Sequence, residues 1–254
     1  KSRLGNIIIS AGAVDDLVEL ILVSILLSFF QLTVTDLPLL KLVLGLFFFV
    51  VLVSISRMWF IPYTLKFFDK EKSSTARFTG ALLIVLLIAS LSELFGLGFL
   101  MGAMIAGMVV RQTIFKDITL PDWEEHDIAK SIHIVSFGFL VPLFFVWVGL
   151  NTVITDIAGT IFFVLVLVSI AILGTVGGTT LAVLLQKGTF REGMVIGWGL
   201  TPKGDIELAL ATLALKEGVI DPALFTSLVL MALVTTILSP IVFKYLVLKS
   251  KKAA

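Results

Sequence analysis

The chain of 254 residues is 58% hydrophobic and 15% charged, with a formal net charge of +1 and a mean hydropathy of +1.12. That balance excludes a soluble globular domain and points to an all-α, polytopic membrane protein bounded by lipid. No basic cluster alternates with exposed aromatics, so nucleic acid is not an expected partner; the lack of cysteine excludes disulfides and thiolate metal sites.

Apolar runs bounded by charged or turn residues predict eight spans. The first, Leu4–Phe30, holds Asp15 and Asp16 side by side and Glu19 one turn further on. A crossing helix needs about 20 mostly apolar residues, and an aspartate near its middle costs about 2.5–3.5 kcal/mol on insertion scales. At 100° per residue the three acids fall within about 100° of arc. Fully ionised they would repel one another, so they must share protons or hold a cation. A structural ion pair, for instance Asp15 with Lys203, is the plainer alternative, but the excess of acid favours transport.

The second predicted span, Leu37–Phe60, ends in Arg57, Trp59 and Tyr63, read as a snorkelling cation within an aromatic belt. Phe78–Phe95 follows, with Glu93 at the interface, then a short fourth span over Leu97–Val110. Tyr63–Arg77 and Arg111–Lys130 are the main polar connections, and Asp122–His133 has the alternation of an interfacial helix. His126 and His133 are a weak metal signal. The remaining spans are Ile132–Leu150, Ile157–Leu185, Met194–Leu215 and Pro222–Leu248. Gly102, Gly107, Gly174, Gly177 and Gly178 are read as close helix packing.

The seventh span carries Gly199-Leu200-Thr201-Pro202-Lys203-Gly204-Asp205-Ile206-Glu207 at its midpoint. Proline removes a backbone donor and glycine adds freedom, so two half-helices with a break near Thr201 are expected. Thr201 is expected to N-cap the second half, with Pro202 at its first position. Asp205 and Glu207 then fall at that half-helix's positive end. Broken helices at membrane depth line cavities and flank transporter ion sites. A cytoplasmic hairpin of two short segments is the alternative. Loop charges argue against it: 15 of the 19 basic residues fall on alternate connections, which places both termini in the cytoplasm and requires an even number of spans. The start at Lys1, close to a membrane segment, suggests that an upstream half exists.

Four strings resemble the monovalent cation:proton antiporters, the bacterial sodium/hydrogen exchanger branch that also includes Kef-type potassium systems. They are Ala13-Val14-Asp15-Asp16-Leu17-Val18, then Ser92-Glu93-Leu94-Phe95-Gly96-Leu97 with Met101-Gly102-Ala103-Met104-Ile105-Ala106-Gly107, then Pro142-Leu143-Phe144-Phe145-Val146-Trp147-Val148-Gly149-Leu150, and Thr201-Pro202-Lys203-Gly204-Asp205 with Ala211-Thr212-Leu213-Ala214-Leu215. Their order and spacing cover almost the whole chain.

The resemblance implies an inverted-repeat fold of about 13 spans, of which this chain supplies the second half. The missing N-terminal half of the same protein would carry the other broken helix. It implies a homodimer working by an elevator-like movement, in a prokaryotic inner membrane. On that mapping, 1–31 is the ion-site core helix and 32–73 the linker helix and cytoplasmic loop. Residues 74–152 form the dimerisation side, and 153–254 the core with the break near 201–204. Asp15 and Asp16 would bind Na+, K+ or Li+ in exchange for H+, with no resident cofactor and no catalytic residue. Glu19 adds a third acid where a small residue is more usual. Thr175, Thr201, Pro202, Lys203, Asp205 and Glu207 would support the site. Thr175 stands where electrogenic relatives carry lysine, which implies electroneutral exchange. Lys203 and Asp205 replace the commoner arginine and glutamate, and a lysine lacks the planar fork of arginine. An intramembrane aspartyl protease, with Asp16 and Asp205 as its dyad, and a passive cation channel are the rival readings. Val14-Asp15-Asp16 and Pro202-Lys203-Gly204-Asp205 both fail the protease pattern.

Overall fold

A computed structural model describes residues 3–30, 38–69, 74–117, 130–153, 157–202, 204 and 206–251. Its elements are all helical among the described residues. The long apolar runs of Leu, Val, Ile and Phe leave the backbone no water to bond with, and the helix satisfies every amide within its own segment.

The helices are α1 (Arg3–Phe30), α2 (Pro38–Ile55), α3 (Ile61–Asp69), α4 (Ser74–Leu94), α5 (Phe99–Asp117), α6 (Val141–Leu150), α7 (Ile157–Ile172), α8 (Gly178–Leu185), α9 (Phe190–Leu200), α10 (Ile206–Lys216) and α11 (Pro222–Lys251). Three π turns, Ser56–Phe60, Ser136–Leu140 and Leu173–Gly177, precede α3, α6 and α8 without interrupting the helical path. α1 has 28 residues, about 42 Å at 1.5 Å per residue, enough to cross a bilayer. The stretches Val43–Thr64, Lys130–Leu150, Thr160–Leu185 and Pro222–Leu248 are long and apolar enough to do so, and Phe78–Leu94 and Phe99–Gln112 are shorter apolar helices.

Several boundaries differ from expectation. The path begun in α2 continues through α3 to Asp69, and α5 runs on to Asp117, because helical hydrogen bonding propagates from a formed apolar segment into the flanking polar residues. Residues 122–129 of the expected interfacial helix, with His126, lie outside the described residues. His133 is exposed and stacks beside Phe137, with 4.7 Å between ring centroids.

The chain divides into two compact units, one comprising Lys1–Asp16 with Phe144–Ala254 and the other Leu17–Leu143. In the Leu17–Leu143 unit the chief pair is α4 against α5. A Cβ at Gly102 would lie 2.4 Å from Ser92 Cβ and 2.7 Å from Ala89 Cα, so only glycine allows this approach. The connector turns back through Gly96 and Gly98 at positive φ, and Ser92 Oγ donates to the Gly98 carbonyl at 3.0 Å. Phe49, Ile84, Ile88 and Leu97 fill its core. Arg57, Trp59 and Tyr63 are exposed, as an interfacial belt requires.

In the other unit, α11 is the spine. α7, α9 and α10 pack on it, and Thr226 Oγ1 holds both the amide and the carbonyl of Val153 at 3.0 and 3.1 Å. Val148, Leu208, Ala211, Phe225 and Ala232 form its buried cluster. α9 packs against α8 and the Leu173–Gly177 turn. Close packing was expected at five glycines. Gly102 shows it, but added Cβ atoms at Gly107, Gly174, Gly177 and Gly178 would meet nothing within 4 Å. Gly193 and Gly197 of α9 carry the approach instead: a Cβ added to them would lie 2.6 Å from Thr180 Cα and 2.8 Å from Val176 Cα.

Candidate cation site

The seventh expected span is two helices, with residues 201–205 between them. The order of contacts along α11 shows how they run. Ser239 meets Trp198, Thr236 lies beside Gly204, and Ala232 and Phe225 share a cluster with Leu208 and Ala211. Both halves therefore follow α11 in one direction, as one interrupted path. The hairpin alternative is excluded.

α9 begins at Phe190, four residues before the expected Met194, because Thr189 and Glu192 form a capping box. Glu192 N–H donates to Thr189 Oγ1 at 3.2 Å and Thr189 N–H to Glu192 Oε2 at 3.0 Å. The Thr-x-x-Glu spacing was visible in the sequence and marks such a start.

Thr201 does not cap the second half as expected. It keeps right-handed helical angles at the end of α9, is fully buried, and its hydroxyl donates back to the Gly197 carbonyl at 2.8 Å. Bonding to the carbonyl four residues earlier competes with capping forward. Pro202 is exposed in the break rather than at a helical first position, and α10 starts at Ile206. Glu207 sits in the first turn of α10, where its Oε2 accepts the Gly204 N–H at 3.1 Å. Its negative charge complements the positive end of that helix. Lys203 and Asp205 lie outside the described residues.

The acid helix reaches the last turn of α9, just before this break. An added Cβ at Gly199 would lie 2.7 Å from Ile8 Cδ1, and one at Gly12 would lie 3.6 Å from Leu200 Cδ2. Ile8, Gly12, Asp15 and Asp16 follow one another at helical spacing, so the acid pair extends the stripe of α1 that touches the last turn of α9. Asp15 is exposed and Asp16 half-buried. Glu19, one turn further along α1, is half-buried and belongs to the Leu17–Leu143 unit. Thr175 is half-buried within the Leu173–Gly177 π turn, next to Val176, which abuts Gly197 of α9. Among the described residues, no group of three or more His, Asp or Glu side chains gathers into a metal site.

Carboxylates therefore lie on the stripe of α1 that leads to a point where one helix ends in carbonyls and another begins with amides. Hard oxygen donors suit a small cation, and opposed helix ends supply partial charges of both signs. The sequence matches the family described as "Sodium/hydrogen exchanger, transmembrane" over residues 1–249. The chain belongs to this family. It is an integral membrane protein of a transporter family.

Among curated relatives, the Na+/H+ antiporter of Enterococcus hirae is 26% identical over 96% of this chain and 62% of its own length. The Na+/H+–K+ antiporter GerN of Bacillus cereus is 26% identical over 96% of this chain and 60% of its own length. The K+/H+ antiporter 1 of Saccharomyces cerevisiae is 27% identical over 93% of this chain and 27% of its own length. The chain thus spans about three fifths of the first two sodium/hydrogen exchanger relatives.

Proposed function

We propose that the protein to which this chain belongs is a secondary active transporter that exchanges a monovalent cation, Na+ or K+, for protons. The observation that carries this reading is the placement of Asp15 and Asp16 on the α1 stripe that meets the end of α9, where Thr201 opens a helix break. The relatives' names, all of Na+/H+ or K+/H+ antiporters, support it.

Mechanism follows from competition for shared oxygens. Asp16, assisted by Asp15, binds either protons or one dehydrated cation, and the coupled acids titrate as a group. Glu19 adds a third carboxylate to the same helix. Glu207 holds the start of α10, with Lys203 and Asp205 tuning the field around it. Thr175, in place of a lysine, makes the exchange one cation for one proton. The chain works as a transporter rather than an enzyme, in a homodimer, by an elevator-like movement. Both ends face the cytoplasm of a prokaryotic inner membrane.

Asp16→Asn in the full-length protein is the decisive test. In everted vesicles it is expected to abolish cation-dependent proton movement, and wild-type exchange in this variant refutes the site. The same assay separates the rivals. A channel moves no protons against a cation gradient, and a protease requires no cation.

A further inference from the structure

The acids and the helix break account for the exchange, but they leave unexplained a group of hydroxyls on α11. Ser227, Thr235 and Ser239 are buried on this helix. Ser227 and Thr235 bond back to carbonyls of their own helix, Ala223 and Met231, at 2.9 and 3.0 Å. Ser239 does not. Its hydroxyl leaves α11 and donates to the Trp198 carbonyl of α9.

Trp198 lies in the last turn of α9, whose carbonyls lack amide partners further along the helix. The Gly197 carbonyl takes the Thr201 hydroxyl, and the next one takes Ser239. One turn before Ser239, Thr236 Oγ1 lies 3.4 Å from where a Gly204 side chain would begin. α11 therefore touches the interrupted path both just before the break and within it, through residues three apart on one face. At 1% exposure Ser239 is not solvated, so its hydroxyl needs a protein partner, and a carbonyl left without it would be costly.

We propose that Ser239 is a positioning residue of the cation site: its bond to Trp198 fixes the last turn of α9, which carries Gly199 and Leu200 against Ile8 and Gly12 of the acid helix. This rests on the antiport reading above. Through that turn the hydroxyl sets the distance between the Asp15–Asp16 pair and the carbonyl end of α9. The bond acts on cation binding rather than on how much protein folds.

The test measures cation-dependent proton movement by the full-length protein in everted vesicles, with Na+ as the probe, or K+ where wild type answers only to potassium. Ser239→Ala is expected to raise the apparent KM for the cation about five- to tenfold, the loss of one ordinary hydrogen bond. Ser239→Thr, which keeps the hydroxyl, is expected to stay within about twofold of wild type. An unchanged KM in Ser239→Ala, whatever its maximal rate, overturns the proposal, since a purely structural role lowers the rate through the amount of protein alone. If Ser239→Ala does not reach the membrane, Ser239→Cys decides. Its weaker donor is expected to raise KM, and a wild-type KM overturns the proposal. Asp16→Asn, run beside these, separates the two readings: exchange surviving in Asp16→Asn refutes the site itself, whereas exchange lost there with KM unmoved in the Ser239 variants refutes only the positioning role.

Discussion

Two of the short glycine-containing connectors between helices have opposite outcomes. Between α4 and α5 the connector lies after Leu94 and before Phe99, and the chain folds back so that the helices pack face to face. Between α9 and α10 it lies after Leu200 and before Ile206, and both helices lean on α11 instead. The first connector has glycines at positive φ, Gly96 and Gly98, which reverse the direction. The second has Pro202, and the residue before it keeps helical angles. A hydroxyl closes each: Ser92 reaches across its own turn to Gly98, whereas Thr201 and Ser239 tie off consecutive carbonyls of α9. One design completes a hairpin; the other interrupts a helical path that keeps its direction along α11.

The largest effect that would break this comparison comes from filling the close approaches. Gly102→Leu drives a side chain into Ser92 and Ala89, and Gly197→Leu drives one into Val176. Overpacking typically costs about 1–3 kcal/mol, and contact with backbone atoms puts both changes at or above the top of that range. Both are expected to lower the melting temperature of the detergent-solubilised full-length protein. They should differ in the protein that survives. Gly102→Leu leaves the cation KM at its wild-type value, whereas Gly197→Leu, one turn from the break, raises it. Equal effects on KM would remove the distinction between a packing glycine and a site glycine.

Pro202→Ala is expected to be smaller in stability and opposite in sign. Alanine restores an amide and favours helix by up to about 3 kcal/mol where a helix interior can form, so α10 is expected to extend backwards toward Thr201. The melting temperature holds or rises while cation-dependent proton movement falls. A variant that loses stability but exchanges normally would show that the proline serves folding alone.

How much of this was legible follows from what each signal depends on. The break was readable because Pro202 and Gly204 are local backbone facts, and the acids because charge in an apolar run is conspicuous. Thr201's direction was not readable, since a threonine hydroxyl can serve the carbonyl behind it or the amide ahead of it, and packing selects between them. The same holds for glycines: Gly174, Gly177 and Gly178 look like a packing stripe in sequence, but the π turn over Leu173–Gly177 shifts the helical register by a residue. Ser239 gave no signal at all, because its partner lies 41 residues away. The Thr189–Glu192 start of α9 was local and was passed over.

That capping box supplies the smallest effect and the cleanest control. Thr189 is exposed and lies at the opposite end of α9 from Thr201, so it shares none of the residues that meet α1 or line the break. Thr189→Ala removes the acceptor for the Glu192 amide and is expected to cost about 1 kcal/mol, seen as a modest drop in melting temperature. Because the remaining turns of α9 are held by Thr180 and Val176 against Gly193 and Gly197, fraying at Phe190 should not travel to Leu200. Cation KM and its dependence on pH are expected to match wild type. If instead this distant change shifts the KM as Gly197→Leu does, then α9 moves as one rigid rod and its two ends cannot be assigned separate tasks.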